Sequence, residues 1–295
     1  MNQETKIQTL SLVTGTEACD ARCPFCISKM TPNHQLGLRQ TEINFDAFSE
    51  VCRRAFEGRV ETVMLTGKGE PTLFSEQLGQ YLMHLAKSEV EFQYKVPSVE
   101  LQTNGIRIAS RPDVYDPLLS NWSSMGLDLA AISVVSFDEA KNRAIYTPYL
   151  RRYISLSELV DRLHQHGIRA RLACIMMKGI IDTPALVAQM VEFAKEIGAD
   201  ELTLRPVNRP ETTQNSMVVD FIDGHLLNQK QKDDIADYLY RTGRVVNEMS
   251  FGATIFDVGG QNVCLTNSLT LDKDGKELRQ LIFYPDGQIA TSWTQ

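Results

Sequence analysis

The 295-residue sequence contains no apolar run of the roughly 18 residues that a membrane-spanning helix needs. Its first residues, Met1-Asn2-Gln3-Glu4-Thr5-Lys6, hold no basic stretch followed by an apolar core, so no secretory signal is expected and the chain reads as cytoplasmic. Basic excess is missing too. The formal charge is −7 and the pI near 5.4, which argues against a nucleic-acid binder and leaves room only for a local basic pocket. Repeats, low-complexity tracts and linkers are absent. The motif G-x-x-x-x-G-K-[ST] does not occur, which excludes a P-loop. Cysteine is sparse: six residues in a chain this long are no disulfide framework, and a chain of this size can bury a core without one.

Short apolar runs alternate with amphipathic stretches. Strands are predicted at Thr9–Thr14, Thr62–Thr66, Val99–Thr103, Leu129–Val135, Ala170–Met176 and Leu202–Val207. Helices are predicted between them at Asp46–Phe56, Ser75–Lys87, Tyr115–Met125, Ser157–His166 and Pro184–Ile197, with Asn44 or Asp46 and Ser155 or Ser157 as start signals and Gly167 and Gly198 as C-terminal caps. Strands alternating with helices indicate βαβ units and a parallel sheet. The expected fold is therefore α/β, a partial (β/α)6 TIM-like barrel over residues 1–225. Residues 226–295 are expected to add a helix at Gln229–Thr242 and a small C-terminal antiparallel β meander packed on the barrel. That meander would run from Asn262–Leu271, through a turn at Asp272-Lys273-Asp274-Gly275, to Leu278–Tyr284, and then by Pro285-Asp286-Gly287 into Gln288–Trp293. The polar stretch Val207–Asp223 reads as a loop.

The six cysteines are Cys19, Cys23, Cys26, Cys52, Cys174 and Cys264, and three of them lie in Cys19-Asp20-Ala21-Arg22-Cys23-Pro24-Phe25-Cys26, directly after the first strand. Thiolates are soft ligands that suit iron–sulfur clusters and zinc. The spacing lets one short loop wrap three sulfurs around a single centre and leaves one metal position open, whereas structural zinc is normally closed by four ligands. A zinc site with a distant fourth ligand is the competing reading. The nearest histidine, His34, lies eight residues after Cys26. The second strand ends in Gly67-Lys68-Gly69-Glu70-Pro71, where glycines permit a tight turn and close approach to a ligand, although a plain βα turn has the same composition.

Alternation puts Glu100, Gln102 and Asn104 on one face of the third strand, pointing into the barrel. Ser133 and Ser136 on the fourth strand are candidates for a ribose or carboxylate, with turn hydrogen bonds as the alternative. Cys174 falls on the apolar face of the fifth strand and reads as core. The opposite face carries Arg169 and Arg171, and the sixth strand carries Arg205. Buried arginines need anionic partners, which points either to an anionic ligand or to barrel carboxylates such as Glu100.

In these motifs the sequence resembles the radical S-adenosylmethionine superfamily, whose signature C-x-x-x-C-x-aromatic-C follows the first strand, with Phe25 as the aromatic residue here. The resemblance runs from about Thr9 to Pro210. It implies one [4Fe–4S] cluster on Cys19, Cys23 and Cys26, its fourth iron chelated by S-adenosylmethionine, and reductive cleavage to a 5′-deoxyadenosyl radical that takes a hydrogen atom from the substrate. It implies a cofactor contact for the backbone around Phe25. Gly67, Gly69, Glu70 and Pro71 match a Gly-x-Gly-Glu-Pro form that meets the cofactor amino group, with Lys68 interposed. Gln102 and Asn104 would stand beside cofactor and substrate. An external electron donor of flavodoxin or ferredoxin type is implied as well. The segment Lys178-Gly179-Ile180-Ile181-Asp182 is similar to the molybdenum-cofactor cyclase branch but has Ile181 where that branch has asparagine. The tail offers Cys264 alone, so no auxiliary cluster is expected. The expected reaction is hydrogen abstraction from a small anionic or nucleotide-like substrate bound by Arg169, Arg171 or Arg205. A glycyl-radical activase acting on a partner protein and a zinc-binding interaction module are the alternatives.

Overall fold

Period-two burial in short runs forms strands here, and polar side chains cap several of the helices between them. In the computed structural model, residues 6–32, 36, 39–209, 213, 215–249, 252–266 and 277–293 are described. In chain order they form β1 (Lys6–Val13), α1 (Phe45–Glu57), β2 (Thr62–Thr66), α2 (Ser75–Glu91), β3 (Ser98–Thr103), α3 (Ile106–Ser110), α4 (Pro112–Ser124), β4 (Leu129–Val134), α5 (Glu139–Tyr146), α6 (Leu156–Gln165), β5 (Arg169–Met176), α7 (Pro184–Glu196) and β6 (Glu201–Pro206). There follow α8 (Ser216–His225), α9 (Gln229–Thr242), β7 (Arg244–Glu248), β8 (Thr254–Val258), β9 (Gln261–Leu265), β10 (Glu277–Phe283) and β11 (Ile289–Ala290). Asn44 and Ser155 are the true N-caps of α1 and α6, accepting from the amides of Ala47 and Glu158. Gly167 and Gly198 end their helices at φ +71° and +74°. No described helix is long and apolar enough to cross a membrane.

All six predicted barrel strands are present and pair in parallel in sequence order, β1 to β6. This is an α/β fold with a mostly parallel sheet, consistent with a partial TIM-like barrel. On β5, Ala170, Leu172, Cys174 and Met176 are buried against the helices, as alternation demands, and Cys174 is a core thiol. The lumen side of the same strands carries the polar residues.

The tail brings antiparallel strands, but not as one meander. β9 joins β6 in parallel, and β8 and β7 follow it antiparallel. β10 lies at the other end of the sheet, parallel to β1, with β11 antiparallel to it. The strands expected to form one hairpin therefore occupy opposite ends of an 11-stranded sheet. The turn 272–275 and the strand residues 267–271 lie outside the described residues. The stretch expected as a loop holds helix α8. Its cap is Asn215, which accepts from the amide of Val218, and Val218 and Ile222, four residues apart, are buried beneath it.

A candidate active site at the barrel mouth

The cysteine loop leaves β1 through Gly15, whose φ of +75° and amide bond to Gln77 Oε1 (2.6 Å) set the turn; a Cβ there would stand 2.0 Å from the Phe74 ring. The loop is pinned on three sides. The Arg22 amide donates to the Tyr146 carbonyl (2.8 Å) at the end of α5. The Phe25 ring meets Tyr146 edge-on and Phe221 of α8, each at 6.3 Å between centroids. The Glu70 amide donates to the Ala18 carbonyl (2.9 Å).

That last contact explains Gly69. A Cβ on Gly69 would lie 2.0 Å from the Ala18 carbonyl oxygen, and one on Gly67 2.7 Å from that of Thr14. Both glycines are required by the packing of the β2 loop against the cysteine loop. Glu70 is buried, and its carboxylate accepts from the Thr72 amide (3.1 Å) and hydroxyl (2.6 Å), the Thr103 hydroxyl (2.6 Å) and the Asn104 amide (2.9 Å). Burial raises its pKa, and these four bonds oppose the rise. Glu70 thus ties the ends of β2 and β3 together, and Pro71 begins the 3-10 turn that it caps.

Asn104 reaches the cysteine loop itself. Its Nδ2 donates to Asp20 Oδ1 (2.8 Å) and lies 3.9 Å from Cys19 Sγ, while the Ala21 amide donates to the same sulfur (3.4 Å). Cys19 is open to water at the mouth, yet enough protein crowds its sulfur that burial pushes the thiol up to about 12. Burial also raises Cys23, and the neighbouring sulfurs add to both shifts. As bare thiols these groups stay protonated, and a bound cationic metal centre is what converts such sulfurs to thiolates. Among the described residues no three His, Cys, Asp or Glu side chains gather for a single metal ion. An iron–sulfur cluster takes each thiolate on a different iron and does not need them so close. The three-sulfur loop, with two N–H donors on Cys19, fits such a cluster.

Lys68 is 3% exposed; its ammonium donates to Thr31 Oγ1 and sits 5.5 Å from the Trp293 ring centroid. Burial lowers its pKa to about 8, against the opposing pull of Glu17 and Cys26. Trp293 packs with Val13, Leu36, Ile282 and Tyr284, so the tail beyond β10 closes one side of the mouth. Neither Trp293 nor α8 was singled out from the sequence. The spacing Val218–Ile222 behind Asn215 was a legible helix signal, whereas nothing local marks Trp293.

Several expected site residues are placed elsewhere. Ser136 is fully buried in a turn: its hydroxyl accepts from the Asp138 amide (3.1 Å), and the side-chain amide of Asn142 receives its own N–H (3.2 Å). It does not face the lumen, whereas Ser133, beside Ala173 of β5, does. Gln102 donates to Glu100 (2.8 Å) within the lumen. Arg169 is exposed at the start of β5, far from the mouth, and pairs with Asp128 (3.1 Å) and Glu201 (2.9 Å). Arg171 is held by Glu100 (2.7 Å) and Glu201 (2.6 Å). The alternative of barrel carboxylates therefore holds for these two arginines. Arg205, nearer the end of β6, makes no ion pair among the described residues. The residue as a whole is exposed, yet protein surrounds the guanidinium closely enough that burial lowers its pKa, and the positive charge of Arg279 on β10 lowers it further.

A Radical SAM superfamily model matches residues 13–194, more than half of the chain, and spans both motif loops. The chain belongs to the radical S-adenosylmethionine superfamily. No curated protein sequence matches it. Among solved structures it is similar to Streptococcus suis SuiB bound to S-adenosylmethionine (TM-score 0.57, 14% identity, 98% of this chain and 58% of that one). It is also similar to native anSMEcpe with bound AdoMet (TM-score 0.60, 14% identity, 98% and 75%) and to a radical SAM methyltransferase from Sphaerobacter thermophilus (TM-score 0.54, 14% identity, 96% and 70%). At these identities the likeness is one of fold. The chain spans 58% of the length of SuiB.

Proposed function

We propose that this radical S-adenosylmethionine enzyme binds one [4Fe–4S] cluster through Cys19, Cys23 and Cys26 and abstracts a hydrogen atom from a small anionic substrate held by Arg205. Bound there, the cluster would supply the single electron for reductive cleavage of S-adenosylmethionine, the radical chemistry that would draw hydrogen from the substrate. The chain's own groups do the positioning. Asn104 and the Ala21 amide donate towards Cys19, and Phe25 fixes the loop between α5 and α8. Glu70 braces the β2 loop whose backbone, at Gly67 to Pro71, offers contacts to the cofactor; Ser133 and Gln102 face it from the lumen, and Lys68 supplies a cation at the mouth. An external donor of flavodoxin or ferredoxin type delivers the electron.

The observation that carries the substrate reading is Arg205, a crowded cation facing the lumen with no counter-charge among the described residues. A guanidinium can hold a carboxylate or phosphate through two parallel hydrogen bonds. The test is anaerobic reconstitution followed by incubation with panels of carboxylated and phosphorylated metabolites, reading 5′-deoxyadenosine by mass spectrometry. Substrates that stimulate its formation are expected to carry an anionic group. Their stimulation should weaken at least about tenfold in Arg205→Lys, which keeps the charge and loses the fork. Stimulation by neutral molecules alone would sink the anionic assignment.

A further inference from the structure

The electron that this chemistry consumes must reach the cysteine loop from outside, and the surface beside that loop departs from the rest of the chain in charge. Between positions 141 and 152 the sequence has four cations, Lys141, Arg143, Arg151 and Arg152, and no carboxylate, in a chain of formal charge −7. The fold lays this segment against the loop. The Tyr149 hydroxyl donates to the Asp20 carbonyl, and the Arg22 guanidinium stacks 4.9 Å from the Tyr149 ring centroid. Tyr149 and Leu150 are exposed large apolar side chains, 48% and 38% accessible. On the far flank Lys29 is exposed and donates to the Cys23 carbonyl (3.4 Å).

We propose that Arg22, Lys29, Arg151 and Arg152, with Tyr149 and Leu150 between them, form the docking surface for a small acidic one-electron carrier protein. The proposal rests on the radical S-adenosylmethionine reading above. Its first support is location: Arg22 lies within the cysteine loop, so a carrier seated here delivers its electron beside the cluster ligands. One electron leaves the reduced carrier and enters the cluster, and no bond forms or breaks. A second support is unspent charge. Among the described residues Arg22, Arg151 and Arg152 form no ion pair, so their charge is available to a partner. Asp20, whose carbonyl receives the Tyr149 hydroxyl, has its carboxylate occupied by Arg107 (3.2 Å) and Asn104 (2.8 Å). The third support is composition. An apolar, aromatic centre ringed by arginine is the anatomy of a protein interface, and a one-signed rim accelerates encounter with a partner of opposite sign.

The test uses the full chain, reconstituted anaerobically, carrying Arg151→Glu with Arg152→Glu. These two residues stand outside the cluster and cofactor contacts. Bleaching of the cluster absorbance by photoreduced flavodoxin is followed by stopped flow at low and high salt, and binding of oxidised flavodoxin is titrated by calorimetry. Reduction by flavodoxin is expected to slow by roughly tenfold or more at low salt, with the wild-type advantage disappearing at high salt. Cleavage of S-adenosylmethionine driven by dithionite, which needs no docking, is expected to stay unchanged. The charge-neutral pair Arg151→Gln with Arg152→Gln should fall between. Flavodoxin rates equal to wild type at every salt concentration would overturn the proposal, as would an equal loss with dithionite in both pairs. Rates that are unchanged with flavodoxin, alongside acidic peptides that stimulate cleavage in wild type only, would assign the surface to a peptide instead and overturn it too. If wild type bleaches with flavodoxin but makes no 5′-deoxyadenosine with dithionite, the enzymatic reading fails and the docking result still stands.

Discussion

Arg171 and Arg205 sit on adjacent strands, β5 and β6, and both contribute to one lumen, yet the protein treats them in opposite ways. Arg171, lower in the barrel, lies between Glu100 and Glu201 at 2.7 and 2.6 Å. Arg205, level with Ile175 and so four residues nearer the mouth, makes no ion pair among the described residues and faces the like charge of Arg279. A buried cation that serves only the fold is neutralised by the fold, because an uncompensated charge in a crowded interior is costly. A cation left without a counter-charge nearer the mouth of the same lumen marks a place where a ligand can supply it. The same contrast divides the polar groups of the mouth. Glu70 has four protein donors and is a strut, whereas burial raises the thiols of Cys19 and Cys23, which gain their charge only when a metal centre takes them.

The sharpest way to break this division is at the sulfurs. Alanine at any one of Cys19, Cys23 or Cys26 should abolish S-adenosylmethionine cleavage and drain iron from a wild-type content of about four per chain. Alanine at Cys52, Cys174 or Cys264 should leave the cluster's spectroscopic signal in place. About eight irons in wild type, or iron loss in Cys264→Ala, would show that ligands and struts have been sorted wrongly. The next effect is on stability, measured by urea unfolding of the reduced, cluster-free chain. Arg171→Met strands Glu100, which is 3% exposed, and should cost about 3–5 kcal/mol. Arg205→Met removes a charge that the protein does not neutralise, and should change stability by less than about 1 kcal/mol. Equal losses would mean that Arg205 has a structural partner and that the contrast is empty.

Much of this was legible beforehand, and the misses have physical causes. All six barrel strands and the two motif loops followed from period-two burial and from residue types whose chemistry is local. The tail misled because hairpin signals are local, whereas pairing is decided by which sheet edge is free. β10 found the edge of β1 and β9 that of β6, so neighbours in sequence parted. Alternation placed Arg169, Arg171 and Arg205 together on lumen-side faces, but depth along a strand, and hence who pairs with whom, depends on the register between strands. Glu201 stands beside Arg171 through the β5–β6 register, which no single segment encodes. Trp293 reaches Lys68 only because β10 runs beside β1.

The smallest predicted effects put the same distinction into two serines three residues apart. Ser136 accepts the Asp138 amide inside a turn that also positions the N-cap of α5. Ser136→Ala should therefore lower stability by about 1 kcal/mol, the usual net worth of one such bond, and leave affinity for S-adenosylmethionine unchanged. The Ser133 side chain makes no hydrogen bond among the described residues and borders the lumen on β4. Ser133→Ala should leave unfolding unchanged and weaken S-adenosylmethionine binding by about fivefold, measured by calorimetry on the reconstituted enzyme. The two variants must move opposite observables. If Ser133→Ala binds the cofactor as tightly as wild type, the lumen face of β4 is a wall rather than a contact, and the cofactor contacts must come from the loops alone.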